Sequence, residues 1–301
     1  MIKNATIYKL AQPLESSADQ IEEALHAGIF ITCGASQEKS TGWVPPRGEE
    51  HGALLESVGG QWILKLMVES KSVPGSVVKR KVDEQCKHIE ATTGRKPGKK
   101  EKREISEDAR MALLPMAFTK QSSVTVWIDP KSGFLVLDSG SQSKADEVMT
   151  ALVKAVDGLA VQLVNTQTSP AAAMSIWLST HEAPQGFSVD RECELKAADE
   201  SKAVVKYGRH ALDIAEVAQH IAQGKVPTRV AMTWNDRVSF VLTEGLQLKK
   251  VSILDVVITD AAGSGNDISR GNFDADVAIT TGELAQLIPA LLEAFGGEVQ
   301  S

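Results

Sequence analysis

The stretch VVKRKVDEQCKHIEATTGRKPGKKEKREISEDARMALLPMAF, from Val77 to Phe118, is the part of the chain around which the rest can be organised. Six cations and a single acid, Glu101, lie within nine of its residues: Arg95, Lys96, Lys99, Lys100, Lys102 and Arg103. These nine residues have a net charge of +5, whereas the chain of 301 residues has −7. Clustered charge of one sign creates a local potential that attracts a polyanion, so this segment is the first candidate for a nucleic-acid contact.

Both flanks of this cluster have helical patterns. The first flank has an apolar stripe at steps of four, four and three residues: Val78, Val82, Cys86 and Ile89. Gly94, Pro97 and Gly98 interrupt that pattern, because proline lacks an amide donor and glycine is costly inside a helix. Ser106 is a candidate cap for a second helix. We therefore predict a projecting helical hairpin with its cations at the turn; a solvated charged coil is the alternative, which the apolar stripes disfavour.

The rest of the chain predicts strands and helices in mixed order. Strands are predicted at residues 5–10, 61–69, 122–128, 133–138, 187–196, 203–207 and 237–243, with one more ending at Trp234. Helices are predicted at residues 17–27, 144–156, 170–179, 213–222 and 282–295. In the helix at 213–222, Asp213 and Glu216 have the spacing of a capping box. Residues 277–280 (VAIT) are interpreted as an apolar strand with Asp274 and Asp276 at its entry. Because the elements do not alternate regularly, the fold class is α+β with mostly antiparallel sheets and packed helices.

Length and the position of the charged segment suggest a division into four parts. Residues 1–76 form an N-terminal α/β part of the core, 77–118 the basic hairpin, 119–180 a hairpin-plus-helix part of the core, and 181–301 a C-terminal α+β domain. Two hairpin-plus-helix units recur in the chain, and an internal duplication is one explanation for them.

Composition and motifs exclude several classes of function. No run approaches the roughly 20 apolar residues of a membrane span, and the N-terminus lacks the apolar core of a secretory signal, so we expect a cytoplasmic protein. Three cysteines far apart predict neither a disulfide framework nor a zinc site, and the six histidines show no ligand spacing. Gly263-Ser264-Gly265 lacks the lysine of a phosphate-binding loop. We therefore expect no enzyme, no metal and no cofactor.

Two further groups are candidates for contacts. A second basic group contains Lys206, Arg209 and His210, with Lys202 nearby. Leu114, Met116 and Phe118 form a concentrated apolar group at the end of the predicted hairpin, and such a group is either local core or a subunit contact.

Five blocks of this sequence resemble the bacterial family of recombination-associated RdgC proteins. They are GWVPPRGEE (42–50), LLPMAF (113–118), VWID (126–129), PQGFSVDRECELK (184–196) and FDADVAITTGELAQLIPALLEAFGGE (273–298). The blocks keep their order along essentially the whole chain. The resemblance implies a cytoplasmic, nucleoid-associated DNA-binding protein without sequence preference. It also implies a ring-shaped homodimer with a positively lined hole, which restrains RecA-type recombinase in recombination and replication-fork repair.

The resemblance also assigns roles to residues. The family's hole-lining cations fall on Arg95 and on Lys99 or Lys100, and on Arg209 and His210 in the second group. The hydrophobic residue of the ring-closing contact falls on Phe118. His210 departs from the pattern, because imidazole is largely neutral at pH 7 where an amide or a permanent cation is expected. The expected partners are duplex DNA, with single-stranded DNA possible, and a second copy of the chain. A protein–protein adaptor with a basic finger that docks on an acidic partner is the alternative.

Overall fold

One antiparallel sheet runs through the molecule, in a computed structural model that describes residues 2–257 and 272–299. The strands are β1 Ala5–Leu10, β2 Lys39–Trp43, β3 Leu55–Val58, β4 Gln61–Lys71, β5 Thr119–Asp129, β6 Phe134–Leu137, β7 Val161–Leu163, β8 Phe187–Ala197, β9 Val204–Gly208, β10 Lys225–Trp234, β11 Val238–Thr243 and β12 Gln247–Ile253. The helices are α1 Ala18–His26, α2 Gly75–Thr93, α3 Lys99–Leu113, α4 Gln142–Ala155, α5 Pro170–Thr180, α6 Ala215–Ala222 and α7 Phe273–Ala294. The predicted α+β class with antiparallel strands is confirmed.

The strand order explains how the two halves of the chain join. Along the sheet the order is β2-β4-β5-β6-β1-β12-β11-β10-β8-β9, while β3 pairs with β4 and β7 with β1. The pairing of β1 with β12 links the N-terminal strands to the C-terminal strands. Strands from three of the four predicted parts therefore share one sheet. The boundaries themselves, and an internal duplication, stay predictions.

Two hydrophobic cores lie on opposite faces of the N-terminal strands. Alternate residues of β4 enter different cores: Leu64 packs with α1 and α4, whereas Ile63 packs on the side of α7. The second core continues under the C-terminal strands, where α5, α6 and α7 cover one face. Trp43, at the end of β2, is 2% exposed and packs in the first core.

Three local predictions were wrong. α3 begins at Lys99, so Ser106 lies inside the helix and does not cap it. Residues 277–280 belong to α7, because Asn272 caps this helix and its apolar residues follow a helical period into the core. α6 starts after Ile214 without a side-chain cap, so the predicted capping box of Asp213 and Glu216 does not form.

α7 is long and apolar enough to cross a membrane by length and composition alone. In this fold its inward residues, which include Leu284, Leu287 and Leu291, are buried against the sheet in the second core. It is thus packed as a core helix. The glycine-rich residues 263–265 lie outside the described residues.

Candidate nucleic-acid interface

The first basic cluster, defined as Arg95, Lys96, Lys99, Lys100, Lys102 and Arg103, lies where α2 passes into α3. α2 ends at Gly94, whose left-handed φ of 70° lets its amide donate to the carbonyl of Glu90 at 2.9 Å. α3 then starts from Gly98 without a side-chain cap. All six cations are exposed. The cluster therefore occupies the connection between the helices and the first turn and a half of α3.

The two helices that carry the cluster pack on each other, and neither contains a buried residue. The predicted stripe of Val78, Val82, Cys86 and Ile89 is half-buried, as is Ile105 of α3. Pro97, in the connection, is buried. The pair is thus ordered by a narrow apolar seam, while most of its surface stays in contact with water.

Half of the cluster is engaged by acids of the same two helices. The guanidinium of Arg95 donates to both carboxylate oxygens of Glu101, at 2.7 and 3.1 Å, and this hydrogen bonding lowers the pKa of Glu101 below its ordinary value. Lys96 lies 3.7 Å from Glu90, and Arg103 lies 3.2 Å from Glu107. Exposed ion pairs of this kind contribute little to stability, so a phosphate can replace any of the three carboxylates at small cost.

The other half of the cluster has no such partner. Lys99, Lys100 and Lys102 make no ion pair within residues 2–257 and 272–299. They lie in the first turns of α3, where the helix dipole and free backbone N–H groups are already positive. Cations are unfavourable at that end of a helix, whereas an anion is stabilised there. The local arrangement thus lacks a negative partner.

The second basic group is less cationic than its sequence suggests. Lys206 lies 2.9 Å from Glu194, and that hydrogen bond lowers the pKa of the Glu194 carboxyl. His210 uses Nδ1 in a 2.8 Å contact with the carbonyl oxygen of Ala211. Arg209 follows β9 in a left-handed conformation, with φ 56°, and makes no ion pair in the part of the chain that the structure describes. Arg209, with the exposed Lys202 nearby, is therefore the cation of this group that has no ion pair among the described residues.

Arg191 joins this group although it is distant in sequence. The backbone N–H of His210 donates to the carbonyl of Arg191 at 3.1 Å, beside the ladder between β8 and β9. The Arg191 side chain is exposed and has no ion pair among the described residues. Only strand pairing brings the two together, so no local sequence signal could have found this residue.

The sheet separates the two basic regions within one chain. The first cluster connects β4 to β5, and the second group follows β9 at the far edge. Seven inter-strand steps lie between β5 and β9, or roughly 34 Å along the sheet at about 4.8 Å per step. One chain therefore presents two positive regions rather than a single composite site.

The apolar group at the end of α3 divides into inward and outward residues. Leu114 is 1% exposed, whereas Met116 is 69% and Phe118 92% exposed. A short 3₁₀ turn from Leu114 to Met116, with Pro115 in it, separates the two directions. Leu114, one of the three candidates for a subunit contact, is buried within its own chain. Met116 and Phe118 remain available to a partner.

Within residues 2–257 and 272–299, no three His, Cys, Asp or Glu side chains are grouped so that they could hold a metal ion. The three cysteines are free thiols, and burial raises the pKa of Cys193 to about 11.

The chain is similar to known proteins over nearly its whole length. Residues 1–298 match the family model described as "Putative exonuclease, RdgC". Proteins named "Recombination-associated protein RdgC" are similar to it in several bacteria. The one from Dechloromonas aromatica is 43% identical over 300 residues, covering 99% of this chain and 98% of that protein. Those from Herminiimonas arsenicoxydans and Bordetella pertussis are 44% and 42% identical, each covering 98% of both chains.

Proposed function

Because this chain belongs to the RdgC family, we propose that it binds double-stranded DNA without sequence preference as a ring-shaped homodimer. The ring encloses the duplex and restrains a RecA-type recombinase by occupying the DNA. The protein acts in the cytoplasm, on the nucleoid, during recombination and replication-fork repair. It acts by binding rather than by catalysis.

The observation that carries this proposal is the charge at the start of α3. Lys99, Lys100 and Lys102 are exposed and lack ion pairs in the described structure, although the whole chain is acidic. Three like charges in the first turn of a helix repel one another and the positive end of the helix dipole, and a polyanion relieves that repulsion. A DNA backbone supplies one phosphate charge per roughly 1.7 Å of duplex axis, which matches a row of closely spaced lysines.

The mode of contact follows from the residue types. Lysine and arginine meet phosphate oxygens and release condensed counterions, which gives affinity without reading base edges. The pair α2 and α3, with no buried residue, projects the first cluster away from the core. A twofold dimer repeats both basic regions, so positive charge can surround a duplex on several sides.

The apolar residues at the base of this projection support ring closure. Phe118 is 92% exposed at the end of the segment that carries the cations. A symmetric contact between two copies removes the phenyl group of Phe118 from water and closes the dimer around the DNA. Retention then depends on ring opening as well as on phosphate contacts.

The test is the salt dependence of duplex binding by a variant with Lys99→Gln, Lys100→Gln and Lys102→Gln. If each lysine meets one phosphate, the slope of log affinity against log salt falls by about 2.7 units per protomer. The lysines of each protomer thereby account for a factor of roughly 40 in the affinity loss between 50 and 200 mM salt. Unrelated duplex sequences are expected to respond alike.

A matched control removes the same charge elsewhere. Lys131, Lys144 and Lys154 are exposed and lie on the β5–β6 turn and on α4. Their triple substitution by Gln is expected to leave the slope nearly unchanged. Equal slopes for the two variants and the unsubstituted protein contradict the proposal. Failure to bind any duplex at low salt, with capture of an acidic protein instead, supports the adaptor.

A further inference from the structure

A cavity of about 490 Å³ lies beside the second basic group. It is bounded by the C-terminal end of α5, the first half of β8 and the segment between β9 and α6. Its floor is apolar: Trp177, Leu178, Phe187 and Leu212 are all less than 10% exposed. A cavity of this size lies within the range of small-molecule sites.

Aromatic contacts in the second core hold the floor of the cavity in place. The Trp177 ring stacks on Phe295 of the C-terminal segment, with centroids 5.6 Å apart and planes 19° apart. Phe187 meets Phe240 edge to face at 6.4 Å. These contacts lie in the second core, so the aromatic side chains are fixed before any ligand arrives.

Polar groups lie in the wall of the cavity and at its mouth. Asp190 is half-buried in its wall, where one carboxylate oxygen accepts a 2.9 Å hydrogen bond from the Thr233 hydroxyl. Arg191 lies at the mouth and is exposed, next to the backbone of His210. Arg209 precedes His210 in the chain and is exposed, whereas the exposed Asp213 lines the cavity on the side of α6. The mouth is thus positive toward β8 and β9.

We propose that this cavity binds one unpaired base of a DNA strand, while Arg191 and Arg209 hold the adjacent phosphate. This inference rests on the proposed DNA-binding function and adds a second mode to it. Bases in a duplex are stacked and paired, so the cavity takes a base from a single strand or one that has left the helix.

Charge and shape favour this occupant. The two arginines select a phosphate, and neither has an ion pair in the described residues. The carboxylate of Asp190 within the wall disfavours an anionic group inside the cavity. It can instead accept a hydrogen bond from an exocyclic amino group, as an acidic side chain does with cytosine. A neutral aromatic base therefore fits the interior of the cavity, and its phosphate fits the positive mouth. Thymine, which has no exocyclic amino group, fits less well.

The experiment compares two 12-nucleotide strands on the full chain. One is oligodeoxycytidylate, and the other is an abasic strand with the same number of phosphates. Because electrostatic contacts are common to both, the difference in affinity measures the base alone. The unsubstituted protein is expected to bind the cytidylate roughly tenfold or more tightly than the abasic strand.

A variant that fills the cavity locates the effect. Ala211 lines the cavity and is exposed, so Ala211→Trp places an indole in it without disturbing the core. This variant is expected to bind both strands about equally and to keep its duplex affinity. Ala172→Trp, on the exposed face of α5, is the matched control and is expected to retain the difference.

Two results overturn the inference: equal affinity of the unsubstituted protein for both strands, or an unchanged difference in Ala211→Trp. If Ala211→Trp does not fold, Asp190→Ala decides instead, because alanine has no side-chain acceptor. It is expected to abolish the preference for oligodeoxycytidylate over oligodeoxythymidylate, and a retained preference contradicts the assignment. Failure of the duplex-binding proposal is distinguishable, because it concerns the salt slope of the Lys99, Lys100 and Lys102 variant.

Discussion

Replacing Phe118 by alanine tests the ring-closing contact directly. The side chain is 92% exposed in the single chain, so nearly its whole surface is available for burial by a second copy. Burial of a phenylalanine side chain contributes about 1.5–3 kcal/mol. A twofold contact contains two such rings, which makes about 3–6 kcal/mol. At about 1.4 kcal/mol per factor of ten, Phe118→Ala weakens the contact by roughly 10² to 10⁴.

Two measurements on the same protein reveal that loss. Sedimentation equilibrium over a range of concentrations gives the dimer dissociation constant, and retention on closed-circular duplex after a salt challenge reports ring closure. Ile176→Ala is the control, since Ile176 is 55% exposed on α5, outside the proposed contact. A dissociation constant and a retention that both equal those of the unsubstituted protein would refute the interface role of Phe118.

Three further predictions concern stability. A Cβ on Gly42 would lie 2.4 Å from the Cα of Phe30, so we expect Gly42→Ala to lower the free energy of unfolding by at least about 2 kcal/mol in urea titrations. Gly282→Ala, in open space on α7, is expected to raise it by about 0.5–1 kcal/mol, and equal effects would contradict this reasoning. Hydrogen bonds from Gln121 and from the backbone N–H of Cys33 lower the pKa of Glu69 below 4.5. Its stabilising contribution is therefore present above pH 4.5 and is lost as the pH falls through the lowered folded value, so Glu69→Gln should flatten the acid limb of a stability profile. Glu283 is buried and paired with Arg237 at 2.7 Å, and Glu283→Gln should cost about 2 kcal/mol by thermal or urea unfolding, whereas no change would mean that the pair is dispensable.

A helix or strand could be predicted from the sequence where it has its own hydrophobic pattern and its own turn or cap residues. β5 and β6 were predicted because the turn after Asp129 carries proline and glycine between two apolar runs. β2 was missed because KSTGW is polar and has a glycine, and only the close approach of the backbone near Phe30 explains that glycine. β12 was missed because Lys250, at φ 54°, interrupts its alternation with an irregular residue.

The errors at the site have a different origin. Ser106 was predicted as the cap of α3 because serine is favoured at that position, and Gly98 was counted among the residues that interrupt the helical pattern. Lysines are also poor residues for the first turn of a helix. The helix begins at Lys99 nevertheless, and this conflict with a local rule lies at the proposed contact. The ion pair between Lys206 and Glu194 could not be predicted from the sequence either, since the two residues meet only through the register of β8 and β9.

The unfavourable start of α3 has a consequence for the unbound protein. Mutual repulsion among Lys99, Lys100 and Lys102 weakens the first hydrogen bonds of that helix, such as the one from the Lys102 amide to the Gly98 carbonyl at 2.9 Å. Without an anion this turn should fray, and its amides should exchange with deuterium faster than those near Ala109. DNA binding would then order the first turn of α3, so the observed affinity is lower by the free energy needed for that ordering.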